Sequence, residues 1–274
     1  MRICGGCNAP IPTCMPGSKD NPWLVPMQCA AVIVLLLLWQ LASSTGLVSE
    51  ASVASPRLVG RAILDLCVSR EFWNDLGATL RSWALGLTLS AAVGIPMGLV
   101  LGSSDFIYRS LRVTVEFVRA TPPVALIPLL LLMYGATQQM AVMLIVIGSV
   151  WPILMQTMYG VHQVDPLIRD VAASYRLRRR DRVLRVQLPA VAPFIATGLR
   201  IAATMSLLMA IGAELIAGAP GIGYMAGVAQ ADGDLGKVYA FIVVTAMLSI
   251  LINRGMRSAE RRLLRWHPSH RSAQ

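Results

Sequence analysis

Apolar residues in this chain gather in blocks about as long as a bilayer is thick, and polar residues gather between them. A helix crossing the hydrocarbon core needs roughly 20 predominantly apolar residues. Six stretches meet or approach that length, at about 24–48, 79–102, 121–136, 139–159, 190–217 and 238–254. Only "TQQ" at 137–139 parts the third from the fourth, which predicts a tight helical hairpin. The segment 49–76 has a pattern of its own. Ser55-Pro56 offers an N-cap and a first helical position. Leu58, Val59, Ala62, Ile63 and Leu66 then recur at helical spacing. They predict an amphipathic helix lying on the membrane surface as an interfacial anchor.

Composition points the same way. Of the 274 residues 55% are hydrophobic and 14% charged, against roughly 25% charged in an ordinary soluble domain. The solvent for most of this chain is therefore lipid, and the reading is an all-α membrane protein of six transmembrane helices. The net charge is +10, and its placement gives the orientation. If the N-terminus is cytoplasmic, the inside segments are the tail, 103–120, 160–189 and 255–274, and they hold most of the lysines and arginines. The outside segments hold Arg57, Arg61, Arg70 and Lys237. This bias puts both termini in the cytoplasm. The expected organisation is a tail at 1–23, a membrane domain at 24–256 with its core from 77, a cytoplasmic loop at 160–189, and a basic tail at 257–274.

Candidate chemistry is sparse. No GxxxxGK[ST], HExxH or GxSxG motif occurs. Cys4 and Cys7 have the spacing of half a zinc site, but no second pair follows, so no metal or cofactor is expected on this chain. The tail is too polar for a cleaved secretion signal. Helix breakers inside the spans are more informative. Gly94, Pro96 and Gly98 fall in the second span, as candidates for close helix packing. Pro122, Pro123 and Pro128 cluster at the start of the third span. Irregular backbone is tolerated in lipid where protein buries it or where it lines a cavity, so Arg119, Pro122 and Pro123 are candidates for a path or gate. Two charges, Arg200 and Glu214, fall inside the fifth span. Intramembrane ionisable groups mark function by default. Both join the path candidates, with snorkelling to the interface as the other reading of Arg200. Arg81, at a depth similar to Glu214, is a possible partner for it.

Six arginines between Arg176 and Arg185 interrupt the apolar pattern. Asp165-Pro166 predicts the start of a short helix through about 166–175, carrying small residues Ala172, Ala173 and Ser174. A turn from Arg176 to Asp181 follows, then a second helical piece with Val183, Leu184 and Leu188 that ends at Pro189. The unit is tethered to spans at both ends, which argues against nucleic acid. It suits a docking surface for a cytoplasmic protein: small residues permit close approach, and arginines can meet acidic groups.

This loop resembles that of the inner-membrane permeases of binding-protein-dependent ABC importers. The family's loop runs Glu-Ala-Ala, three residues, Gly, nine residues, then Ile-x-Leu-Pro. Asp170-Val171-Ala172 stands for the triplet, Arg176 for the glycine, and Val186-Gln187-Leu188-Pro189 for the end. Similar stretches are "VGIPMGLVLG" (93–102), "RATPPVALIPLLLLMYG" (119–135) and "GLRIA" (198–202). "AELIAGAPGIGYM" (213–225) resembles the branch for nitrate, sulfonates and taurine. The resemblance covers about 55–265 and implies a type I ABC importer permease fold in the bacterial inner membrane. It implies a path for a small anion such as taurine, an alkanesulfonate or nitrate, built by two permease copies, usually as a homodimer. It also implies ATP and magnesium on a separate cytoplasmic ATPase, and an extracytoplasmic solute-binding protein. The ATPase would dock on Asp170, Ala172, Ala173, Ser174, Arg176, Leu177, Val183, Leu184, Leu188 and Pro189. A permease for a betaine, an amino acid or a thiamine precursor is the alternative within the class, and a secondary anion transporter the alternative outside it.

Overall fold

The computed structural model describes residues 54–104, 121–164 and 181–264, with scattered positions at 26, 27, 30, 31, 34, 38–41, 106, 110, 113, 117, 167, 174, 175 and 178. The chain divides into two units, 1–56 and 57–274. In the first, the described positions between 26 and 41 are helical; the rest of the expected first span lies outside the described residues. In the second, the described helices are α1 (Pro56–Val68), α2 (Arg70–Gly102), α3 (Ile127–Tyr134), α4 (Gln138–His162), α5 (Leu188–Ala217), α6 (Ile222–Ala231) and α7 (Leu235–Leu263). Among the described residues four helical stretches are long and apolar enough to cross a membrane: Arg70–Gly102, Gln138–His162, Arg185–Ala217 and Leu235–Leu263.

The packing of α2 against α4 sets the frame. Along α2, Ser82, Gly86, Ser90, Gly94, Gly98 and Gly102 are all buried and recur every fourth residue, so they form one small-residue stripe. A Cβ placed on Gly94 would lie 3.1 Å from Ile153, one on Gly98 2.7 Å from Thr157, and one on Gly102 2.9 Å from Val161. Gly86 faces Ile145 in the same way. Partners advance in step along both helices, so α2 and α4 run parallel. Small residues let backbones approach until dispersion and weak polar contacts hold them, the main attraction available where lipid is as apolar as the side chains. Pro96 leaves α2 continuous and is exposed.

A parallel pair obliges the chain between Gly102 and Gln138 to come back across the same height. The Gln138 side chain donates to the carbonyl of Ala78 (3.3 Å), while Gly102 sits beside Val161 at the far end. The expected third span accounts for part of this return. Its described helix is short: Pro123 opens a 3-10 turn through Leu126, and α3 then ends where Gly135 takes φ 66°. Twelve residues of helix rise about 18 Å, short of a roughly 30 Å core. Pro122, Pro123 and Pro128 explain the form, because each lacks an N–H to continue a regular ladder. Residues 107–109, 111, 112, 114–116 and 118–120 lie outside the described residues.

Helix α5 runs antiparallel to α4 and closes the core. Ala210 and Ala213 of α5 pack with Leu144, Ile145 and Met140 of α4 and with Ile127 and Leu130 of α3. The expected end of a helix at Pro189 is not found. Arg182–Gln187 forms a π-helical turn that feeds straight into α5, with Pro189 in its first turn. Proline has no N–H and crowds the carbonyl four residues back, and a widened turn accommodates both. The outer part of the expected loop between the last two spans is also helical, as α6. Nothing in the hydropathy pattern marks α6, since ten residues cannot cross a bilayer. Asp234 caps α7 by accepting the N–H of Lys237 (3.1 Å), which holds its carboxyl below the usual range. A lowered carboxyl stabilises at neutral pH and loses that contribution as pH falls through the lowered value.

The Gly98→Val variant is expected to lower stability by about 1–3 kcal/mol through overpacking against Thr157 and the Leu154 carbonyl. Gly60→Ala on α1, with nothing within 4 Å of the new methyl, is expected to be neutral or slightly stabilising. Thermal unfolding in detergent compares the two, and equal effects would show that the stripe is not a close contact.

Candidate functional site

The end of α5 builds a polar junction in an apolar bundle. Gly218 takes φ 72° and stops α5, and the chain folds back through Pro220 and Gly221 (φ 156°) into α6. That reversal aims the free N–H groups at the start of α6 toward the last turn of α5. Glu214, wholly buried, receives one of them. Its Oε2 accepts the Gly223 N–H (3.0 Å) and the Thr79 hydroxyl (2.9 Å). The Thr79 oxygen in turn accepts the Ile222 N–H (3.0 Å). One carboxylate oxygen thereby joins α2, α5 and α6. Glycines at 221 and 223 make room. A Cβ on Gly221 would collide with the Glu214 carboxylate, and one on Gly223 would stand 2.7 Å from the Ile211 carbonyl. Glu214 Oε1 has no hydrogen-bond partner among the described residues.

The possible partner Arg81 is not part of this junction. Thr79 faces Glu214, and a residue two positions on points about 200° away around the helix; Arg81 is exposed. Arg200 lies toward the other end of α5 and pairs with Glu260 of α7 (3.4 Å), partly exposed. Glu214 and Arg200 are thus brought into separate constellations. Between them, a second polar tie holds the bundle at mid-height: the buried hydroxyls of Ser149 and Ser206 lie 2.8 Å apart, and the Trp83 indole donates to the Ala203 carbonyl (2.9 Å).

Other sequence-derived candidates fall as follows. Pro122 is exposed, and Pro123 sits half-buried at the 3-10 turn, near Gly148. Gly94 and Gly98 lie in the α2 stripe and Pro96 on its exposed side. Leu188 packs with Val161, Val164, Val191 and Ile195, and Pro189 is exposed. Ser174 is helical and exposed. Arg119, Asp170, Ala172, Ala173, Arg176 and Leu177 lie outside the described residues, as do the side chains of Val183 and Leu184. Thr79, Ile222, Gly223 and Glu260 were not foreseen. Thr79 heads the small-residue face of α2, and Glu260 is the one acid in a strongly basic segment; both are signals a sequence reader could use.

A bundle of long apolar helices, irregular at a proline-rich turn and tied by a buried carboxylate, is that of a multi-pass membrane protein. The model of the family of binding-protein-dependent transport system inner membrane components matches residues 94–265, and the chain belongs to that family. It is a permease subunit of an ABC importer, a multi-pass protein of the bacterial inner membrane and a transport component rather than an enzyme. Among its relatives is the nitrate import permease protein NrtB of Leptolyngbya laminosa, 31% identical, with 81% of this chain and 82% of that protein covered. Another is the taurine transport system permease protein TauC of Escherichia coli (strain K12), 30% identical over 89% of this chain and 90% of that one. The fold matches an inward-facing crystal structure of the MetNI methionine ABC transporter, with a TM-score of 0.62 and 16% identity, over 70% of this chain and 95% of that one.

The junction makes an ordered prediction. Glu214→Gln keeps an acceptor for Thr79 and Gly223 and is expected to stay within about 1 kcal/mol of the parent. Thr79→Val removes a donor and leaves the Ile222 N–H unpaired, costing about 1–3 kcal/mol. Glu214→Ala is expected to be at least as damaging. Thermal unfolding ranks them, and an alanine variant as stable as the glutamine one would remove the junction from the account.

Proposed function

We propose that this chain forms the translocation path for a small oxyanion, nitrate or a sulfonate such as taurine, in an ATP-driven importer built on a permease homodimer. The observation that carries the substrate class is likeness over most of both chains to permeases named for nitrate and for taurine. Nitrate and the sulfonate group present a compact head of oxygens sharing negative charge, so one path chemistry serves both. Arg119, Pro122, Pro123, Arg200 and Glu214 are the path or gate residues, and the two arginines are the cations that can meet such a head.

The chain crosses the membrane six times with both termini in the cytoplasm. The forced return between α2 and α4 supports a crossing within 103–137. The exposed arginines at 178, 185, 254, 257, 261 and 262 support a cytoplasmic lower end, because α5 begins and α7 ends there. The loop from Asp170 to Pro189 docks the ATPase, with Ala172, Ala173 and Ser174 as the close contact and Arg176, Leu177, Val183, Leu184 and Leu188 around it. An outer solute-binding protein delivers the anion.

Reconstituted with its ATPase and binding protein, the complex is expected to accumulate labelled nitrate or taurine on ATP addition, and the chain alone to hydrolyse none. Uptake of neither anion by an assembled, ATP-hydrolysing complex would overturn the substrate class. Ala172→Glu is expected to reduce ATPase co-purification severalfold, and unchanged co-purification would move the docking surface elsewhere. A reporter active only outside the cytoplasm is expected to be silent after Gln274 and active within 226–236; the reverse result would invert the topology.

A further inference from the structure

Helix α7 holds none of the candidate path residues. Its lower half presents one continuous exposed face. Met247, Ile250 and Leu251 are each more than half exposed, and Arg254, Arg257 and Arg261 continue the same stripe at helical spacing, all exposed. The apolar part is exposed on this chain and suited to acyl chains. The change to arginine falls at a definite height. Leu235 to Asn253 rises about 28 Å along the helix, close to the roughly 30 Å thickness of the hydrocarbon core. The guanidinium groups therefore begin where acyl chains end and phosphates start.

No described carboxylate compensates the charges on this face. Glu260 is the one acid between Leu235 and Leu264, and it turns about a quarter of the helix circumference away to pair with Arg200 on α5. Among the described residues no carboxylate pairs with Arg254, Arg257, Arg261 or Arg262. An apolar helix face ending in a row of guanidiniums that no described carboxylate meets matches one kind of occupant. Acyl chains lie along Met247, Ile250 and Leu251, and an anionic headgroup accepts from Arg254, Arg257 and Arg261. Arginine suits this role because its planar fork can donate to two phosphate oxygens at once.

We propose that this face of α7 is a binding site for an anionic phospholipid of the leaflet at the C-terminal end of the helix. The lipid bridges the last turns of α7 to the membrane surface, which holds Glu260 at the height where Arg200 meets it. The site does not depend on which solute crosses or on which side of the membrane that leaflet lies.

The test uses the full chain in symmetric nanodiscs of dioleoylphosphatidylcholine with increasing dioleoylphosphatidylglycerol, reading retained lipid by native mass spectrometry. Each arginine near a surface is worth about fivefold in affinity for anionic lipid. The Arg254→Gln/Arg257→Gln/Arg261→Gln variant is then expected to lose on the order of a hundredfold. Arg57→Gln/Arg61→Gln on α1, which removes two arginines from the other end, is expected to retain binding. The single Arg257→Gln, least disturbing to folding, is expected to weaken binding about fivefold. Parent-like lipid retention in the single and triple variants would overturn the proposal. Equal loss in the α1 control would also overturn it, by reducing the effect to net charge. Loss of ATPase co-purification in the triple variant with lipid retention unchanged would assign the face to a protein partner instead.

Discussion

The close approach of α2 to α4 is the constraint on which the other elements depend. In lipid there is little hydrophobic gain from bringing two apolar helices together, so contact has to come from fit and from polar ties. Six small residues spaced by four supply the fit along nearly the whole of α2 below Thr79. Because the pair is parallel, the chain between them has to return, and α5 then fills the remaining side of α4 in the opposite direction. Each later placement follows: α6 folds back over the end of α5, and α7 descends beside it.

Three polar ties join helices of this bundle. At the upper end Glu214 and Thr79 collect the free N–H groups of α6. At mid-height two serine hydroxyls meet. At the lower end Arg200 and Glu260 join α5 to α7. A buried polar atom in hydrocarbon is costly unless paired, so these ties select one packing of the helices over near neighbours. Helix α5 takes part in all three, and its exposed side carries Thr204, Met205 and Leu208. A helix that is tied at three heights yet open along one side can transmit a movement at its lower end, where it leaves the π-turn, to the junction around Glu214.

The π-turn before Pro189 and the 3-10 turn from Pro123 both lie beside prolines. At Pro189 a widened turn accommodates the missing donor and the helix continues, whereas Pro123 opens its turn, where an N–H has no intrahelical partner to lose. Both sit at the boundary between a span and a connecting segment, where the regular ladder is least supported by neighbouring helices.

Much of this protein was legible in its sequence, because lipid leaves an apolar stretch of sufficient length few alternatives to a helix. The spans at 79–102, 139–159, 190–217 and 238–254, the helix from Pro56 and the family to which the loop belongs all followed from local pattern. Helix ends were less well marked, since α2 starts at Arg70 and α7 runs to Leu263 through polar residues that hydropathy cannot assign. What crosses between elements needed the tertiary structure. Depth along the sequence suggested Arg81 for Glu214, but helical phase turned Arg81 outward and put Thr79 in its place. Glu260 looked like one acid in a basic tail until packing brought it to Arg200. Helix α6 depends on Gly218 and Gly221 reversing the chain onto a carboxylate that sequence shows only as an isolated charge. Periodicity fixes which residues share a face, but which faces meet is decided by packing between distant segments.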